Sequence, residues 1–116
     1  MARAGYRLMP GLPPIEESIV NDKYPWLRAK ATYKKTVNTS QTFALLGVTV
    51  PTNVKMIEVI VEASTILRFN PVGAATANSA GKGQNQTQEC WGNAVELARW
   101  QFYTGGSNAI GFIVYL

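Results

Sequence analysis

From residue 28 to the C-terminus the chain never sustains a helical period; it advances in short apolar or alternating runs cut by turn residues. Such punctuation favours an all-β fold, because a half-buried strand needs only a few residues of alternation and then a turn. Residues 28–37 alternate, with Ala29, Ala31, Tyr33 and Lys35 on one face and Lys30, Thr32, Lys34 and Thr36 on the other. One polar and one mixed face suit an exposed or edge strand. After the turn cluster Asn38-Thr39-Ser40, residues 42–46 read as a short strand ended by Gly47, and Val48-Thr49-Val50 as another leading into a turn. Residues 54–63 give the clearest strand, with Ile57, Val59 and Val61 on one side and Glu58, Ile60 and Glu62 on the other. Residues 65–70 read as its hairpin partner and 74–89 as a long polar loop without hydrophobic period. Residues 95–104 and 109–116 are the last strands, joined by the hairpin signal Gly105-Gly106-Ser107-Asn108. The terminal run Ile113-Val114-Tyr115-Leu116 predicts a strand inside the sheet. The expectation is therefore one all-β domain, a β-sandwich of jelly-roll-like type, over residues 28–116.

Residues 1–27 read differently. Pro10, Pro13, Pro14 and Pro25 break any helix or central strand. Yet Tyr6, Leu8, Met9, Leu12, Ile15, Ile19, Val20, Tyr24 and Trp26 are too apolar for a solvated linker. These residues predict an extended N-terminal arm that docks on another surface, with one helical turn over residues 16–20 after Pro13-Pro14. Extended, 25 residues would reach on the order of 80 Å. The docking residues expected are Tyr6, Arg7, Met9, Leu12, Ile15, Tyr24 and Trp26. Charge follows the same division. Of the 116 residues, the first 35 carry seven bases and three acids, a net +4, whereas residues 36–116 carry four of each. The basic character belongs to the N-terminal third, which points to an acidic partner surface.

The composition argues against catalysis. The chain has no histidine, so no Ser-His-Asp or Cys-His arrangement can exist. Its one cysteine, Cys90, lies beside Glu89, and a neighbouring carboxylate disfavours the thiolate. Glu58 and Glu62 share a strand face and read as a solvent-facing row rather than an acid–base pair. Gly81-Lys82-Gly83 lacks the glycine, hydroxyl residue and helix of a phosphate loop. No enzyme activity, metal or cofactor is expected. No apolar run approaches the roughly 18–20 residues of a membrane span, and the N-terminus lacks the apolar stretch of a secretory signal. Synthesis in a host cytoplasm without a membrane partner is the corresponding expectation. Trp91, at the edge of the long loop, is the aromatic residue most suited to an exposed contact, with Asn85 and Gln88 as polar companions for a glycan. The basic strand over residues 28–35, with Tyr33 interleaved, is the one feature that suits a nucleic acid, and a net charge of only +4 makes that partner unlikely.

The half from Val54 onward resembles small tailed-phage virion proteins of the capsid cement or decoration type. The resemblance lies in Glu58-Val59-Ile60-Val61, then Ile66-Leu67-Arg68-Phe69-Asn70, the small-residue loop over 73–83, Leu97-Ala98-Arg99-Trp100-Gln101-Phe102, Gly105-Gly106 and the terminal strand over 110–115. It implies a compact β-sandwich, often a jelly roll, that sits on a bacteriophage head as a dimer or trimer, with the major capsid protein as partner and the virion as location. The arm fits this role, since a peptide reaching to a neighbouring subunit links separate bodies. A glycan-binding β-sandwich of a phage fibre or spike is the alternative.

Overall fold

The computed structural model describes residues 24–116. Eight strands and two single-turn helices make up this part of the chain, as the all-β expectation requires: β1 (Ala29–Val37), β2 (Gln41–Thr42), α1 (Phe43–Leu46), β3 (Met56–Val61), β4 (Leu67–Asn70), β5 (Ala80–Lys82), β6 (Thr87–Trp91), α2 (Ala94–Leu97), β7 (Gln101–Tyr103) and β8 (Asn108–Tyr115). They form two antiparallel four-stranded sheets, ordered β1-β8-β3-β6 and β2-β7-β4-β5. Only β4 and β5 are consecutive in the chain and paired in the same sheet; every other connection between successive strands leads away from a paired neighbour.

One apolar core draws on both sheets. Ile57, Val59 and Val61 of β3 and Ile110, Phe112 and Val114 of β8 meet Leu67 of β4 and Phe102 of β7, with Phe43, Leu46 and Leu97 from the two helices. Phe43, Phe102 and Phe112 pack as a triangle with ring centroids 5.1–6.0 Å apart. Such mixed tilted and edge contacts are the favourable geometries for aromatic rings. Trp100 stacks on both Phe69 and Phe102 at the flank of this group.

β1 is an edge strand and the C-terminal β8 is interior, paired to β1 on one side and β3 on the other. Both placements agree with the alternation. Elsewhere the structure departs from local reading. Residues 42–46 are not a strand: Thr42 caps α1 by accepting the Leu45 N–H, and Gly47 closes it at φ +79°. A threonine cap and a left-handed glycine five positions apart are helix-end chemistry, and Phe43 and Leu46 then fall on one buried face. Val48-Thr49-Val50 has no strand partner and leads into a turn closed by Val54 N–H to the Pro51 carbonyl. Residues 95–97 of the expected penultimate strand belong instead to α2, held by a capping box between Asn93 and Glu96.

Two hairpins read from sequence do not form. β4 pairs with β5 and β7 rather than with β3, and β8 pairs with β1 and β3 rather than with β7. The reason is burial. β8 is apolar over most of its length and is covered on both edges only between β1 and β3, a gain that local hairpin closure cannot match. The expected loop over 74–89 likewise contains β5 and the start of β6. These edge strands are polar and held by backbone pairing, so they leave no hydrophobic period. Gly81 marks the close approach in β5: a side-chain carbon there would lie 2.7 Å from the Ile66 methyl.

Candidate functional site

The feature with concentrated polar chemistry lies on the outer face of the first sheet. It starts with a turn. The Leu27 N–H donates to the Tyr24 carbonyl at 3.0 Å, with Pro25 at the second position, where its fixed φ favours turning. Tyr24 and Leu27 point into the protein while Pro25 and Trp26 face out. Arg28 and Leu116 then exchange backbone hydrogen bonds of 3.1 and 2.7 Å, which join the turn to the sheet. Tyr24 and Leu27 form a second small core with Met56 and Tyr115. Residues 24–27, read from sequence as the end of the arm, thus pack as part of the domain.

Beneath this turn two carboxylates face each other. Glu58 of β3 and Glu89 of β6 are cross-strand partners. Like charges so placed repel unless donors separate them. The Tyr24 hydroxyl donates to Glu89 Oε2 at 2.6 Å and also lies 3.3 Å from Glu58 Oε2. The Tyr115 hydroxyl donates to Glu58 Oε1 at 3.3 Å, and the Trp91 indole N–H donates to Glu89 Oε1 at 2.8 Å. Glu58 is only 5% exposed, so the expected solvent-facing row of Glu58 and Glu62 does not exist. Glu62 is the exposed member and pairs with Lys34 at 2.8 Å. The signal for Glu58 was its company: Met56 and Ile60, on the same strand face, are apolar, so that face had to be covered. Sequence reasoning missed Tyr115 and Glu89 because their partners arrive from other strands.

Burial and the Glu89 hydrogen bond push the Tyr24 hydroxyl far above the ordinary tyrosine range. Burial, then the Glu58 charge, pushes Tyr115 up to about 12. Both tyrosines therefore keep their protons in the folded state at pH values where the unfolded chain has lost them. The stability they contribute is complete below about pH 10, the unperturbed tyrosine value, and falls above it. Between pH 10 and 12 the slope expected is on the order of 1 kcal/mol per pH unit for each of the two groups. Urea denaturation at stepped pH measures it; part of the tyrosinate absorbance at 295 nm should appear only with unfolding. A flat stability from pH 10 to 11.5 would contradict the assignment.

Of the expected docking residues, Tyr6, Arg7, Met9, Leu12 and Ile15 lie outside the described residues, as does the helical turn expected over 16–20. Tyr24 is 4% exposed and is buried against its own domain rather than offered to a partner. Trp26 and Trp91 are 66% and 45% exposed and flank Tyr24, each with its ring edge-on at 6.1 and 6.4 Å. Trp91 does not share a site with the expected glycan-contacting residues. Asn85 precedes β6 and Trp91 ends it, about 20 Å apart along a strand. Gln88 falls on the opposite strand face. Cys90 is fully buried, and burial pushes its thiol far above the ordinary range, away from thiolate chemistry. Among the described residues no group of three or more Cys, Asp or Glu side chains converges as a metal site would require. Nor, among them, is any helix long and apolar enough to cross a membrane.

The other surface feature is apolar. A depression of about 350 Å³ is lined by Phe43, Ala44, Gly47, Val48, Thr49, Val50 and Ala98. Thr42 and Gln101 are cross-strand partners, so α1 and α2, which adjoin them, lie at the same end of the second sheet. That end carries the exposed side chains of Leu45 and Val95. Comparison with protein-family models, curated proteins and solved structures finds no match to this chain. The Tyr24 cluster is built as an anchor: it clamps the start of the described chain onto the outer face over β3.

Proposed function

We propose that this chain is a bacteriophage virion structural protein, a cement or decoration protein that binds across major capsid protein subunits as a homo-oligomer and stabilises the head. The observation that carries the proposal is the strand order. Two four-stranded antiparallel sheets ordered β1-β8-β3-β6 and β2-β7-β4-β5 support a jelly-roll reading, an architecture used by viral capsid domains. The anchored turn at Tyr24 adds to it, because a firm root lets the preceding 23 residues transmit a load from a neighbouring subunit to the domain. Apolar side chains of that segment bury against the shell, and its bases meet acidic capsid surface.

Deleting residues 1–23 tests this. The cut spares Tyr24, whose ring belongs to the packed domain. The truncated protein should keep its cooperative unfolding transition and lose binding to shells assembled without it, measured by co-sedimentation. Truncated protein that still saturates the shells would overturn the proposal.

A second reading has its own observation. Trp26 and Trp91 are both exposed on either side of Tyr24, and exposed indoles stack on sugar faces. Jelly rolls also serve as lectin domains. Glycan-array binding abolished by Trp26→Ala and by Trp91→Ala would favour this reading; an array without hits would remove it.

A further inference from the structure

β1 is nine residues long and, among the described residues, pairs with β8 alone. Its other edge therefore offers a row of backbone donors and acceptors, about four of each by the alternation of antiparallel pairing. The strand is also basic. Arg28, Lys30, Lys34 and Lys35 fall within residues 28–37, which hold no acid. Lys30 and Lys34 are exposed on the same face. The bridge from Lys34 to Glu62 joins two exposed side chains and contributes little in water. Two β1 edges placed together would set lysine against lysine, so this edge resists its own kind. An acidic extended segment is its match.

The chain contains one. Glu16-Glu17-Ser18-Ile19-Val20-Asn21-Asp22 carries three acids and no base. Its Ile19 and Val20 are β-branched and favour extended backbone. We propose that residues 16–22 of one copy add as a strand to the β1 edge of a second copy, extended there rather than in the helical turn that Pro13-Pro14 suggests.

The fold says why the acceptor is another copy. Going backwards from Arg28, the chain crosses the outer face from the β1 side towards β6. Arg28 pairs with Leu116 beyond β8, while Tyr24 lies over β3, between Tyr115 of β8 and Trp91 of β6. A strand added outside β1 would lie three strand spacings, about 14 Å, from β3. Asp22 is two residues before Tyr24, at most about 7 Å along the chain. That reach falls short of the chain's own β1 edge, whereas a neighbour presenting its β1 beside this turn meets the segment directly. Donor and acceptor are different surfaces, so one-way donation is head-to-tail and builds a ring of three or more copies where the rotation closes, while reciprocal exchange closes a pair.

The inference deepens the oligomer part of the proposed function and concerns the free protein, so it can fail while shell binding stands. The test uses the full chain, sized by light scattering at low salt, with circular dichroism to confirm folding. Wild type should be a closed oligomer, a pair or a larger ring. Lys30→Glu with Lys34→Glu should give folded monomer, and so should Glu16→Lys with Glu17→Lys. Combining all four changes in one chain should restore the oligomer. Mixing the two monomeric double variants should also restore assembly, since each one's segment then matches the other's edge. A monomeric wild type, or an oligomer indifferent to either double variant, would overturn the inference. So would a mixture that stays monomeric, which places the segment on its own chain. A shell-binding assay on the same variants reads the proposed function separately.

Discussion

Phe102→Ala should cost about 3–5 kcal/mol, the range for truncating a fully buried aromatic side chain. Phe102 is fully buried in β7 and touches Phe43 and Phe112, so its ring ties the second sheet to β8 of the first and to α1. Removing it leaves a cavity between two rigid sheets that cannot collapse without shifting strands, which places the loss toward the upper end of that range. Domains of this size have about 5–15 kcal/mol of stability in total, so the variant sits near its unfolding threshold at 37 °C. Phe102→Leu keeps most of the volume and should lose about 1–2 kcal/mol. Urea denaturation of the three proteins checks the series. A loss below 1 kcal/mol for the alanine variant would mean that the sheets do not close on this ring.

Tyr24→Ala should cost about 3–5 kcal/mol for the buried ring and the lost hydroxyl together. The substitution also leaves Glu58 and Glu89 facing each other without the hydroxyl that lies between them. Tyr24→Phe keeps the ring and removes only that donor, a loss of about 1–3 kcal/mol. The difference between the two variants separates packing from hydrogen bonding. Local consequences should exceed global ones. With the anchor gone, the turn over residues 24–27 loses its grip on the outer face, and trypsin should cut after Arg28 at least tenfold faster than in wild type. Equal cleavage rates would show that the backbone exchange between Arg28 and Leu116 holds the segment without Tyr24.

Much of the fold was legible in particular residues. The alternation of residues 28–37 marked an edge strand, and the apolar terminal run marked an interior one, because side-chain burial leaves a period of two in the sequence. The helix-end chemistry of Thr42 with Gly47 and of Asn93 with Glu96 was also present in the sequence, although apolar neighbours such as Phe43 and Leu97 suggested strands instead. β5 and the start of β6 left no mark, since polar edge strands are held by backbone hydrogen bonds that any side chain permits. The candidate site was legible in part. Trp26 and Trp91 were recognisable as exposed aromatics. Glu58 carried a contradiction, a charge on an apolar strand face, whose resolution needed Tyr24 and Tyr115 from 34 and 57 residues away.

The sequence alone determined the class of this protein: all-β, with short strands, an edge strand rich in lysine and an apolar C-terminal strand. Local side-chain alternation and turn chemistry are sufficient for that, because they act over a few residues. Which strands pair was decided only by the tertiary structure. Residues 54–61 and 65–70 satisfy every local rule for a hairpin, yet they separate into different sheets because β8 fits between β1 and β3 and buries more apolar surface there. The same choice places Glu58 against Glu89 and sets Tyr24 above them on the outer face of the first sheet.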